Sequence, residues 1–206
     1  MNFAKFAFTD GIKALQEQYG SRDSYARMES HSDKDGLTGA EEMFIESRDS
    51  FYMASIGENN YPYIQHRGGP AGFIKVINNA TIGVVDFKGN KQFISVGNIN
   101  AHKQVSLFIM DYPHKTRLKI YADARIIDIK DDPALFGLLD PADYKHTPER
   151  MMIFDVKAYD WNCPQHITPR YTAEEIKQAF APQNEYVLKL EYELEKLKKQ
   201  LKLKDS

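Results

Sequence analysis

Cysteine is almost missing from this 206-residue chain: Cys163 is the only one. A single thiol excludes an internal disulfide framework and a zinc centre built on several cysteines. Long apolar runs are missing too. A membrane-spanning helix needs about 20 consecutive apolar residues, and no stretch reaches that length. The opening string MNFAKFAFTDGIK has neither a long apolar core nor a small-residue cleavage site, so no signal peptide is expected. Together these absences predict a soluble, cytoplasmic protein with no membrane partner. Nor is there an excess of one charge: 27 Lys and Arg stand against 29 Asp and Glu. Proteins devoted to duplex nucleic acid are usually strongly basic, so no nucleic-acid partner is expected. The six histidines, His31, His66, His102, His114, His146 and His166, fall in no H-E-x-x-H or comparable spacing, and no metal site is expected.

What is present is a chain long enough to bury a core, with a pattern that changes along its length. Asp10 to Tyr19 reads as a short amphipathic helix, and the polar stretch Ser21 to Gly36 as a surface arm. Thr38 with Glu41 three positions on is a capping box, predicting a helix to about Arg48 with Met43, Phe44 and Ile45 on its buried stripe. From Phe51 the period becomes that of strands. Phe51–Ile56 and Tyr61–His66 form a hairpin across Gly57–Asn60. Further strands are expected at Phe73–Ile77, Thr81–Phe87, Val105–Tyr112, Arg117–Ile129 and Met151–Tyr159. Gln92–His102 and Asp132–Leu139 read as short helices. Seven closely spaced strands with helices at the edges predict a mainly β fold, an antiparallel barrel. Thr172 with Glu175 is a second capping box, opening a helix that Pro182 is expected to end. Beyond it Val187, Leu190, Leu194, Leu197 and Leu201 are spaced 3, 4, 3 and 4. That a/d seam reads either as a self-pairing, coiled-coil-like helix or as an amphipathic helix packed on its own domain. The expected organisation is an N-terminal helix and arm over 1–37, a barrel domain over 38–181 and a C-terminal amphipathic helix over 182–206.

Three segments carry chemistry. Gln65-His66-Arg67-Gly68-Gly69-Pro70 ends a strand, where glycines admit a ligand close to the backbone and the planar fork of Arg67 suits phosphate or carboxylate. An ordinary glycine turn with a surface arginine would look the same. Phe87-Lys88-Gly89-Asn90-Lys91-Gln92 places two ammonium groups and amide donors after another strand. If a helix starts at Asn90 or Lys91, its free N–H groups add to an anion site. The glycine spacing is not that of a Walker A loop. Trp161 to Arg170 holds the only Trp, the only Cys, two prolines, His166 and Arg170. Cys163 reads as a nucleophile or as a small packed residue, and the sequence offers it no base.

Taken together, FIESRDSFYMASI (44–56), YPYIQHRGGPAGFIKV (61–76), DFKGNKQFISVGNI (86–99), LFIMDYP (107–113) and DWNCPQHITPRY (160–171) resemble the pyridoxamine 5′-phosphate oxidase-related flavoproteins over roughly 38–171. The resemblance implies an FMN-binding split β-barrel, antiparallel and Greek-key-like, with two FMN sites at a homodimer interface. It implies that His66, Arg67, Lys88, Asn90, Lys91 and Gln92 hold the FMN phosphate. It also implies that a loop from the partner subunit, here Trp161, Gln165, His166 and Arg170, closes over the site. The Arg-rich C-terminal motif with which true pyridoxamine phosphate oxidases grip their substrate is not present in full. The function implied is therefore that of an FMN-dependent oxidoreductase with an unspecified small-molecule substrate, NAD(P)H being a candidate donor. The alternative is a non-enzymatic FMN binder that senses redox state or stress. No catalytic residue stands out.

Overall fold

The computed structural model describes residues 1–31, 33–161 and 163–202. Asn162 of the WNCPQHI string and the last four residues of the expected tail helix lie outside the described residues. Two compact units make up the chain: Met1–Asp111 with Lys115–His166, and Tyr112–His114 with the segment from Ile167 onward.

The first unit is a seven-stranded antiparallel sheet with short helices around it. The strands are β1 (Ser50–Ile56), β2 (Pro62–Gly68), β3 (Ile74–Asn78), β4 (Thr81–Phe87), β5 (Gln104–Asp111), β6 (Thr116–Ile127) and β7 (Pro148–Trp161). Their order in the sheet is β2-β1-β5-β6-β7-β4-β3, so the two end strands are neighbours in sequence. This is the expected split barrel, an open ladder curled about one core. The core is filled by the inward half of each strand's alternation: Phe51 and Met53, Leu107 and Ile109, Leu118 and Ile120, Met152 and Phe154, Ile82 and Val84. A smaller cluster lies outside the sheet, where helix α6 (Pro133–Leu139) packs on Val85, Met151 and Ile153. Gly83 lets α6 come this close, since a Cβ there would meet Leu139 Cδ2 at 2.8 Å and Ile77 Cδ1 at 2.9 Å.

The N-terminal helices are α1 (Phe3–Ala7), α2 (Asp10–Gln18), α3 (Arg22–His31) and α4 (Gly39–Glu46). Helix α3 replaces the expected surface arm. It buries no residue, so it carries no apolar period to read. Polar contacts hold it instead: its own pair, Arg22 Nη2 to Glu29 Oε2 at 2.5 Å, and two bonds to other segments, Arg22 Nη1 to Gln16 Oε1 at 2.6 Å and Asn2 Nδ2 to the Glu29 carbonyl at 2.8 Å. Helix α4 has its capping box, and of its expected stripe Ile45 is buried and Phe44 packs half-buried against the core, but Met43 is exposed, and the other inward position, one turn before Ile45, is Glu41. A charged residue can take that face because it is met there by hydrogen-bond donors. Helix α5 (Ile94–Ala101) follows β4 and is pinned to β1 by the buried bond from Asn98 Nδ2 to Ser55 Oγ, 3.0 Å.

In the second unit, helix α7 (Ala173–Lys202) runs for 30 residues with Pro182 inside it. The Thr172–Glu175 capping box starts it, the Glu175 amide donating to Thr172 Oγ1 at 3.1 Å. Pro182 does not end this helix, contrary to the expectation. The ring removes one backbone donor and crowds the carbonyl one turn back, but the turns on both sides remain helical. The Arg170 guanidinium lies 5.0 Å from the centre of the Tyr112 ring. No helix among the described residues is long and apolar enough to cross a membrane.

Candidate functional site

At the open end of the first unit, between β2 and the start of α5, lies a cleft of about 240 Å³. Strand parity explains why it is polar. Arg67 on β2 pairs with Phe51 on β1, and cross-strand partners share a face, so Arg67 points to the same side as that core phenyl ring. Gln65 and Tyr63 follow at two-residue steps. On β4, Asp86 keeps the inward parity of Ile82 and Val84, and directly opposite it on β7 stands Arg150, in step with Met152 and Phe154. The barrel's apolar interior thus gives way, one residue further along several strands, to Arg67, Asp86 and Arg150.

These three side chains form one cluster. Asp86 is buried and accepts from both guanidiniums: Oδ1 from Arg67 Nη1 at 2.5 Å and Oδ2 from Arg150 Nη1 at 3.0 Å. Arg67 Nη2 also donates to Gln65 Oε1 at 3.2 Å, and that oxygen accepts from Ser95 Oγ at 2.5 Å. Arg150 Nη2 reaches Glu149 Oε2 at 3.0 Å, and its Cζ lies 5.1 Å from the Phe93 ring centre. Arg67 Nε remains. It is buried and has no hydrogen-bond partner among the described residues. A buried cationic N–H left unanswered costs free energy, so it marks a place where an acceptor belongs.

The other wall is the β4–α5 loop, lined by Gly89, Asn90, Lys91, Gln92 and Phe93. Lys91 (φ 62°) and Phe93 (φ 55°) are both left-handed without being glycine. Such residues cost about 1–3 kcal/mol each and collect at functional sites. The helix starts at Ile94, later than the expected Asn90 or Lys91. Its N-cap, Phe93, makes no side-chain capping bond, and the first turn of α5 lines the cleft. The positive end of the helix therefore faces the same space as the guanidiniums.

Of the residues expected from sequence, the cleft brings together His66, Arg67, Asn90, Lys91 and Gln92. Lys88 is next door and exposed, its amide donating to the Thr147 carbonyl at 2.8 Å. His66 rests edge-on against Tyr52 on the outer face of the sheet. Trp161, Gln165, His166 and Arg170 do not line this cleft. Trp161 Nε1 donates to Glu41 Oε1 at 2.7 Å, and its ring packs edge-on to Phe44. Gln165, His166 and Arg170 are exposed, with His166 left-handed at φ 61°. Sequence reading missed the roles of Asp86, Arg150, Gln65 and Ser95. The signal was there for two of them: Asp86 and Arg150 fall on the inward parity of otherwise apolar strands, where a charge needs an opposite charge.

A second polar cluster surrounds Glu41. Burial works against its charge, but hydrogen bonds from Thr38 and Trp161 outweigh this and hold its pKa below the usual carboxylate value. Burial first, and then the neighbouring Glu41 carboxylate, push Tyr159 up to about 12, and its hydroxyl donates to the Gly36 carbonyl at 2.9 Å. Among the described residues no group of three His, Cys, Asp or Glu side chains could hold a metal ion.

The model of the pyridoxamine 5′-phosphate oxidase family matches residues 37–158. No curated protein matches the chain. Among solved structures, the chain is similar to an FMN-binding protein from Syntrophomonas wolfei at 12% identity, covering 71% of this chain and 97% of that one, with a TM-score of 0.49. The HupZ protein of Group A Streptococcus is similar at 12% identity over 66% of this chain and 99% of its own, TM-score 0.49. An F420 reductase is similar at 13% identity over 60% and 98%, TM-score 0.46.

Proposed function

The chain belongs to the pyridoxamine 5′-phosphate oxidase family, and from that premise we propose that it is an FMN-binding oxidoreductase, working as a homodimer in the cytoplasm on a small-molecule substrate. The observation that carries the reading is the unanswered Arg67 Nε, buried in a cleft with Arg150, Lys91 and the uncapped start of α5. This donor set suits a phosphate dianion. Arginine meets phosphate oxygens with its planar fork, and a helix N-terminus favours negative charge.

Arg67, Asn90, Lys91 and Gln92 would hold the FMN phosphate, with Lys88 and His66 at the rim. Asp86 holds both guanidiniums in place without consuming all their donors. Bound FMN would supply hydride and one-electron chemistry; the chain supplies binding, orientation and electrostatics.

Two features favour a dimer. The cleft, about 240 Å³, is smaller than the roughly 300–1,000 Å³ usual for cofactor and drug-sized ligands, so one protomer offers part of a site. Beside it the outer face of β2, β1 and β5 is apolar: Ile64 is 66% exposed and Ile56 42%, with Tyr52 paired to Phe108 across β1 and β5. His66 stands in that row opposite Tyr52. A second copy laid on this face would bring its own Trp161–Arg170 loop, with Gln165, His166 and Arg170, to the flavin.

The test is the absorption spectrum of the purified protein, with the released cofactor identified, followed by FMN titration and NAD(P)H oxidation. Flavin bands, FMN on release and flavin-dependent turnover are expected. A colourless protein that takes up no FMN would overturn the reading. FMN binding without turnover by any donor would leave a flavin binder and remove the oxidoreductase.

A further inference from the structure

The a/d stripe of α7 is longer than the leucines alone suggested. Because the helix continues through Pro182, Ile176 and Phe180 fall on the same stripe upstream of Val187. From Ile176 to Leu201 the steps are 4, 3, 4, 3, 4, 3 and 4, with Gln183 the one polar member. Pro182 falls off the stripe. The seven apolar members are all exposed, between 44% and 62%. That is close to four heptads, enough for a coiled coil, where the leucines alone made about two. A single helix with one whole face of apolar side chains in water has little to hold it, since most helical stability in proteins comes from packing such a face.

We infer that α7 pairs with α7 of a second copy of this chain, as a parallel, in-register two-stranded coiled coil. The charges and Gln183 select both occupant and direction. In the parallel arrangement each layer meets itself. Gln183 then faces the partner's Gln183, and amide can bond amide, as a single polar core residue does when it sets register. Positions flanking the seam place Glu193 beside the partner's Lys198, twice by symmetry, and set no like charges together. Antiparallel pairing over the same length puts Gln183 against the partner's Leu194, burying an amide without a bond. It also sets Lys177 beside the partner's Lys198. Val187 at a, with Leu190 and Leu197 at d, is the combination that favours two strands.

The inference does not rest on the flavin reading, and its test is blind to flavin. Three single-cysteine versions of the full chain, all carrying Cys163→Ser, are oxidised with diamide and run on a non-reducing gel. Leu197→Cys lies at d, where parallel partners bring like positions within disulfide reach. Lys199→Cys lies on the outer face, and Phe180→Cys at the other end of the stripe. Most of the Leu197→Cys chain is expected as a linked dimer and most of the Lys199→Cys chain as monomer. A mixture of Leu197→Cys and Phe180→Cys chains should give only like-with-like links. Equal linking at 197 and 199, or none at 197, would overturn the pairing. A cross-link between positions 180 and 197 would overturn its direction. The linked Leu197→Cys chain should keep the helical circular dichroism of the parent, which separates pairing from misfolding.

Discussion

Asp86 and Glu41 are both buried carboxylates in the first unit, and their surroundings differ in one respect. Glu41 accepts from the Thr38 amide at 2.9 Å, from Thr38 Oγ1 at 2.5 Å and from Trp161 Nε1 at 2.7 Å, all of them neutral donors of the fold. Lys34 lies over the adjacent Tyr159 ring, 4.2 Å from its centre. Asp86 instead draws two guanidiniums into a cleft, and one of these keeps a buried N–H without an acceptor. A network whose members are all answered holds a structure together. A network with a cationic donor to spare holds a structure ready for something else.

Four substitutions would break or sharpen that contrast. The largest effect is expected for Asp86→Ala, which leaves two half-buried guanidiniums facing each other. Its cost should be about 3 kcal/mol in urea unfolding, in line with breaking a buried ion pair. Arg67→Ala should act on the ligand instead. FMN affinity should fall about tenfold to a hundredfold, the range that charge-assisted hydrogen bonds are worth, with a smaller loss of stability than for Asp86→Ala, because Asp86 keeps its bond from Arg150. Equal losses of stability from Arg67→Ala and Asp86→Ala would erase the distinction.

At the other cluster, Glu41→Gln should cost about 2 kcal/mol of stability and leave FMN affinity unchanged. It should also flatten the acid limb. The folded pKa of Glu41 lies below its ordinary 4.5, so its stabilisation is present above that pH and is lost as pH falls. Tyr159→Phe should be the mildest, about 1 kcal/mol for its bond to the Gly36 carbonyl. Tyr159 stays protonated in the fold to about 12, against 10.0 when unfolded. Wild type should therefore lose more stability between those values than the variant does.

Much of this molecule could be read along the chain because its signals are local. The capping boxes at Thr38 and Thr172, the β1–β2 hairpin and the seven strand runs are fixed by residues within a few positions of one another. Helix α3 could not be read that way, since it is held by Gln16, Asn2 and its own Arg22–Glu29 pair and has no apolar period. Half of the cleft was legible through Arg67 and the 88–92 loop. The other half was hidden in parity: Asp86 and Arg150 each look ordinary until the register sets them opposite one another, 64 residues apart.

By itself, the sequence determined the elements, their alternation, the anion-friendly strand ends and the heptad spacing of α7. These follow from hydrogen bonds and side-chain periods that repeat within a turn or a hairpin. Only the tertiary structure decided that Trp161 answers Glu41, that one carboxylate links Arg67 to Arg150, and that the α7 stripe continues past Pro182. The first two are contacts between residues far apart in sequence, made when the sheet closes on its register. The third depends on the helix accepting a proline that a local rule would have used to stop it.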